Sequence, residues 1–126
     1  MGGQSALVGQ TAGFVGAVVN GAVRDLPAIR EIDYPVWAAG VTPITGKFRM
    51  EATEINGPVR LHDIVVHPGD LICADDSGIC VVPSELIIQV IEEAEQVGSA
   101  EDKMRELITS KAPISELHPL FRKRYD

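Results

Sequence analysis

Arg24 and Asp25 stand side by side at the exit of an apolar run, Gly16-Ala17-Val18-Val19-Asn20-Gly21-Ala22-Val23. A run of that kind reads as a buried strand. A cation and an anion at its end cost desolvation energy unless they are matched to something. A guanidinium suits a carboxylate, and a carboxylate suits a hard metal ion. The pair therefore points to chemistry on a small organic acid. The plainer readings stay beside it: Arg24 as a structural ion-pair partner, and Asp25 as the N-cap of a helix through Leu26-Pro27-Ala28-Ile29-Arg30-Glu31, with proline in its first turn.

The elements that must position this pair are short. Gly2-Gly3-Gln4-Ser5 is a glycine loop that leads into a helix over about residues 4 to 12, although an unstructured start is the alternative. Residues 16 to 20 form a buried strand. Pro35-Val36-Trp37-Ala38-Ala39-Gly40 reads as a second one. Strands alternating with short helices favour an α/β arrangement. Lys47 to Glu54 alternates loosely and reads as an extended edge. Next come Pro58-Val59-Arg60, Ile64-Val65-Val66, Leu71-Ile72-Cys73 and Ile79-Cys80-Val81-Val82. The turns Pro68-Gly69-Asp70 and Asp75-Asp76-Ser77-Gly78 divide them, which predicts a β-meander or a small barrel-like sheet. Pro83 ends the sheet, and Ser84 is an N-cap candidate for a helix to about 97. Gly98 stops or breaks it, and helix resumes from Ala100 to Lys111 with Met104, Leu107 and Ile108 on one face. The expected organisation is one domain over 1–126, with a C-terminal helical segment over about 84–126.

Composition narrows the function. The chain has 126 residues, 45% of them hydrophobic and 23% charged, with a net charge of -7. That is ordinary globular material. The sequence shows no basic stripe, which argues against nucleic acid. Its one basic cluster, Arg122-Lys123-Arg124, reads as a solvated tail. No apolar stretch is long enough to cross a membrane, and no signal peptide is visible, so a cytoplasmic location is expected. Cys73 and Cys80 lie in apolar runs around one turn and read as buried free thiols, with a cross-strand disulfide as the alternative. Two cysteines are too few for a typical zinc site. A methyltransferase is not expected, because no glycine-rich motif for S-adenosylmethionine follows a first strand with an acidic residue after the next one.

Taken together, Gly2-Gly3-Gln4-Ser5, Asn20-Gly21-Ala22-Val23-Arg24-Asp25, Asn56-Gly57-Pro58-Val59 and the stretch from Val66-His67-Pro68-Gly69-Asp70 through Cys80-Val81-Val82-Pro83 resemble the RraA-like family. That family holds metal-dependent 4-hydroxy-4-methyl-2-oxoglutarate aldolases, related oxaloacetate decarboxylases and regulators of ribonuclease E activity. The resemblance covers about residues 2 to 83. It implies a β/β/α swivelling-domain fold, and a homotrimer or hexamer with sites between subunits. It also implies a region of strands and helices ahead of this chain's first residue. In aldolase members, a four-residue loop 22 positions before the arginine binds substrate, which corresponds to Gly2, Gly3, Gln4 and Ser5. Arg24 then binds substrate and Asp25 the metal. Regulators without aldolase activity keep the arginine and lose this aspartate, so Asp25 favours the enzyme branch. The second loop position is often acidic in aldolases, and here it is Gly3.

The implied activity is that of a lyase acting on 4-hydroxy-4-methyl-2-oxoglutarate-type acids and on oxaloacetate. Both reactions yield pyruvate through a metal-stabilised enolate, with Mg²⁺ or Mn²⁺ as cofactor. Amides at the helix N-terminus add a site for a second carboxylate. Oxaloacetate decarboxylation needs no base for a hydroxyl, so it is the activity that best survives Gly3. The alternative is a non-catalytic regulator of ribonuclease E acting by protein contact. His62, His67, Asp70, Asp75 and Asp76 read as turn or surface residues rather than ligands. Lys47 reads as solvated, or as meeting an anionic substrate. Glu92, Glu93, Glu95, Glu101 and Asp102 form a solvated face, with a metal contact across a subunit interface as the minority reading.

Overall fold

Small residues recur at every third place in Gly3-Gln4-Ser5-Ala6-Leu7-Val8-Gly9. That spacing puts them on one side of a helix. In the computed structural model, which describes residues 1–121, they lie on α1 (Gly3–Thr11). Their small side lets α1 approach α2 (Leu26–Glu31) and the turn after it closely. A Cβ on Gly3 would stand 3.1 Å from the Ala28 Cβ, and one on Gly9 would stand 2.8 Å from the Tyr34 hydroxyl. Ala6, between them, is fully buried with Ile29 and Tyr34, and Met1, Ala17, Ile32 and Val36 pack around this small core. The Tyr34 hydroxyl donates to the Gly16 carbonyl at 3.0 Å, so its polar end is satisfied.

β1 (Ala17–Val23) pairs in parallel with β2 (Val36–Val41). Parallel strands need a long crossover, and α2 supplies it, making a βαβ unit. The register passes from Val19 against Ala38 to Ala22 against Gly40, so β1 carries an extra residue at a bulge. Within that bulge, the Asn20 side-chain amide donates to the Arg60 carbonyl at 2.9 Å. β3 (Val59–Leu61) and β4 (Ile64–Val66) form an antiparallel hairpin. All these elements belong to the first of two units, Met1–Pro68.

The second unit begins at Gly69. β5 (Leu71–Asp75) and β6 (Gly78–Val82) form a hairpin across Asp76 and Ser77. The Asp75 carboxylate accepts the Ser77 and Gly78 amides at 2.7 and 3.2 Å, an aspartate turn that fixes the tip. A 3₁₀ turn (Ser84–Leu86) leads into α3 (Ile87–Thr109), and α4 (Ile114–Phe121) packs back on α3. Lys111, at φ 57, turns the chain out of α3.

Several expectations need correction. The strand segments exist, but among the described residues they form three two-stranded ladders rather than a meander or barrel. Neither early strand is buried as expected: β1 runs on to Val23, the one buried residue in it, with Asn20 and Ala22 exposed, and β2 is half-buried at Val36 and Trp37 and exposed from Ala38 onward. Lys47 to Glu54 contains no strand; Arg49 and Met50 donate their amides to the Gly46 carbonyl and make a turn. Ser84 does not cap by its side chain. Its own amide is capped by the Asp70 carboxylate at 3.0 Å. Gly98 neither stops nor breaks the helix, because α3 runs through it. Cys73 and Cys80 are free but exposed rather than buried, because they sit toward the tip of the hairpin while burial on their face is confined to its base at Val82. Arg122, Lys123 and Arg124 lie outside the described residues.

Candidate functional site

Asp25 occupies the N-cap position of α2, and its carbonyl accepts the Ile29 amide at 3.1 Å. Its side chain does not cap that helix. The backbone is left-handed there, at φ 64 and ψ 40, a conformation that aspartate tolerates better than most residues. The carboxylate instead meets the start of α1. Oδ2 accepts the Gly3 amide at 3.2 Å. Arg24 Nε stands 3.1 Å from both Oδ1 and Oδ2. The Gly3 amide first, and then Arg24, hold the Asp25 pKa below the ordinary 3.8. The carboxylate is therefore ionised throughout the neutral range.

Two glycines make this approach feasible. A Cβ on Gly2 would stand 3.1 Å from Asp25 Oδ2 and 3.3 Å from Arg24 Nη2. Any side chain at Gly2 would thus press on the ion pair itself. Gly3 is buried against Ala28 and Asp25. The acidic residue often found at this loop position in aldolases has little room here. The main chain also ties these pieces together, with the Arg24 amide donating to the Met1 carbonyl at 2.9 Å.

A cleft of about 700 Å³ opens beside the pair. Gly2, Gln4, Ser5 and Arg24 line it, whereas Gly3 and Asp25 do not. Asp25 lies one bond behind, reached through the Arg24 guanidinium. Of the opposite wall, the sequence offered only Lys47, as one reading of that residue. Thr42, Thr45, Lys47 and Arg49 form it, after the chain leaves β2 and turns back at Gly46. Thr42 Oγ1 accepts the Ile44 amide, and Thr45 Oγ1 accepts the Lys47 amide, each at 3.1 Å. The signal was present in Thr42-Pro43-Ile44-Thr45-Gly46, a cluster of turn formers. Arg24, Lys47 and Arg49 all line this cleft, with the Lys47 ammonium 5.2 Å from the Phe48 ring centroid, a setting suited to an anion with more than one carboxylate.

Asp25 is bonded to the cleft-lining Arg24 and is the carboxylate that could anchor a metal there. Among the described residues, no group of three His, Cys, Asp or Glu is arranged to hold one. The donor set fits a hard cation that keeps most of its waters and takes one protein carboxylate, as Mg²⁺ commonly does. The Asp25 side chain is 42% exposed, and each oxygen retains lone-pair capacity. Arg24 Nε would have to yield its place on the carboxylate. The other acids weighed from the sequence fall elsewhere. Asp70 and Asp75 accept backbone amides at turns, Asp76 lies in the hairpin turn, and Glu92, Glu93, Glu95, Glu101 and Asp102 are exposed along α3. His62 sits at the β3–β4 turn with φ 50, and His67 follows β4.

A family model described as RraA-like (Aldolase/RraA) matches residues 1–81. A Halalkalibacterium halodurans protein provisionally named 4-hydroxy-4-methyl-2-oxoglutarate aldolase is 33% identical, over 77% of this chain and 45% of its own. The crystal structure of an uncharacterized protein from Pseudomonas syringae pv. tomato superposes with a TM-score of 0.87 at 27% identity, covering 93% of this chain and 58% of that one. Streptomyces coelicolor RraAS2, an unusual member of the RNase ES inhibitor RraA protein family, superposes with a TM-score of 0.70 at 29% identity, covering 83% and 54%. The chain spans 17% to 51% of the length of the curated relatives it matches.

Proposed function

Because this chain belongs to the RraA-like family and has the fold of its solved members, we propose that its cleft is the site of a divalent-metal-dependent lyase. The substrates are oxaloacetate and 4-hydroxy-4-methyl-2-oxoglutarate-type acids, the product is pyruvate, and the working form is a homotrimer or hexamer. One observation carries this reading: Arg24 faces a cleft that also holds Lys47 and Arg49, with an ionised Asp25 directly behind it. In this reading Arg24 pairs with one carboxylate of the substrate, and its fork geometry sets the orientation. Gly2–Ser5 is not a loop but the N-cap and first turn of α1, and with the Gly3 amide held by Asp25 it receives the same acid through Gln4 and Ser5, where the helix dipole favours an anion. Lys47 and Arg49 attract the second carboxylate. Asp25 would hold Mg²⁺ or Mn²⁺, which when bound supplies Lewis acidity to the electron pair released by the breaking C–C bond. Decarboxylation is the more favoured of the two reactions, because the retro-aldol step also needs a base and Gly3 provides none.

A second reading has its own support in the likeness to RraAS2. On it the chain regulates a ribonuclease by contact and needs no metal anchor beside Arg24.

The test is pyruvate release from oxaloacetate with Mn²⁺, above the free-metal background and sensitive to EDTA. Asp25→Asn is the better variant than alanine, since asparagine tolerates the left-handed backbone. It should lower the rate at least about a hundredfold, the scale of removing one electrostatic group. Arg24→Gln should lose turnover equally and yet bind Mn²⁺ no more weakly, because Nε no longer competes for Asp25. Full activity in Asp25→Asn would remove the proposed metal site, and a folded wild type with no turnover would favour the regulatory reading.

A further inference from the structure

Cys73 and Cys80 face each other directly across the β5–β6 ladder. Residues opposed in this way project to the same face of the sheet, with Cβ atoms about 4.5–5.5 Å apart. A disulfide requires about 3.5–4.5 Å, so closure demands a movement of roughly 1 Å and no change of register. The register is pinned at both ends. At the tip, the Asp75 carboxylate holds the Ser77 and Gly78 amides, and at the base the Asp70 carboxylate holds the Ser84 amide. Both thiols are free and exposed, and both residues line one shallow depression of about 480 Å³. Structural cysteines are among the most buried of residues, so an exposed and aligned pair is unusual for a packing role.

We propose that the β5–β6 hairpin is a dithiol–disulfide site that exchanges with low-molecular-weight disulfides. One cysteine thiolate attacks a sulfur of the small disulfide, the S–S bond breaks, and one small thiol leaves, giving a mixed disulfide on the hairpin. The opposed cysteine thiolate then attacks the hairpin sulfur of that mixed disulfide and releases the second small thiol. The sum converts two protein thiols and one small disulfide into one Cys73–Cys80 disulfide and two small thiols. The inference does not depend on the proposed lyase activity.

The test equilibrates the full chain with set ratios of reduced and oxidised glutathione, quenches in acid, alkylates and weighs the intact protein. The wild type should lose two hydrogens and resist alkylation at both cysteines, with a peptide map joining Cys73 to Cys80. Cys73→Ser and Cys80→Ser should each stop at one glutathione adduct. Repeating the titration in urea should lower the formation constant by about tenfold or more, as expected when alignment supplies the effective concentration. Equal constants in the folded and unfolded chain, two independent glutathione adducts on the wild type, or crosslinking between chains would each overturn the proposal.

Discussion

The Arg24–Asp25 pair is a local ion pair between neighbours, and such pairs at an exposed surface contribute little to stability. Its weight comes from what else the carboxylate holds. By accepting the Gly3 amide, Asp25 joins the exit of β1 to the start of α1. The ionised form accepts that bond more strongly than the protonated acid does. The folded pKa lies below 3.8, so the unfolded chain binds this proton first as pH falls. The contribution to stability is therefore complete above the unfolded value and is lost as pH drops through the folded one. Asp25→Asn should be less stable than the wild type at neutral pH, and the gap should close in acid, below about pH 4. Urea denaturation of both proteins across that range measures it. A gap that stays constant into acid would mean the Gly3 contact carries no linkage. The sequence made the adjacency of Arg24 and Asp25 obvious, but not its geometry. Capping logic placed Asp25 correctly at the start of α2 and gave its side chain the wrong task, because aspartate suits both an N-cap and the left-handed backbone that frees the carboxylate, and residue type does not choose between them.

Glycines in helices separate what was legible at the level of elements from what was not. Gly9 and Gly98 both sit inside helices, α1 and α3. By propensity alone each should gain about 0.5–1 kcal/mol on replacement by alanine. Nothing stands within 4 Å of a Cβ at Gly98, so Gly98→Ala should deliver that gain. At Gly9 the new Cβ would meet the Tyr34 hydroxyl at 2.8 Å and disturb its bond to Gly16. Gly9→Ala should therefore destabilise, by about 1–2 kcal/mol net, with overpacking and a weakened hydrogen bond exceeding the propensity gain. Equal signs from chemical denaturation of the two variants would show that Tyr34 does not constrain α1. Periodicity found α1, β1, α2 and the β5–β6 hairpin, because each has a strong local signature in apolar runs, turn formers or proline placement. It failed at Gly98, where the apolar positions on either side were enough to carry the helix through a poor residue. It failed again after Thr42, where the wall of the cleft is made by a turn, and the use of Lys47 and Arg49 depends on which way that turn folds back.

At the scale of the whole molecule, the apolar material is poorly spent on the interior. The sequence is 45% hydrophobic, yet among the described residues only Ala6, Val23, Ile29, Tyr34 and Val82 are buried apolar side chains. Val15, Phe48 and Ile55 are each at least 90% exposed. Soluble proteins rarely leave so much large apolar surface open, and in a chain that spans 17% to 51% of the length of its curated relatives, exposure of this kind marks a surface covered either by further chain or by another copy. No sequence pattern could report this, because a half-buried strand reads the same whether its second face meets its own chain or another copy. The net charge of -7 acts in the opposite sense, since like-charged copies repel. The two effects respond differently to salt. Added NaCl screens the repulsion and leaves apolar burial intact. Light scattering behind size exclusion should give a multiple of the single-chain mass, with self-association that tightens as NaCl rises from about 0.05 to 0.5 M, a range over which the Debye length falls well below 10 Å. Association that weakens with salt would assign the interface to ion pairs. A monomer at every salt and protein concentration would mean that these apolar side chains are tolerated in water, and would take the support from the proposed homotrimer or hexamer.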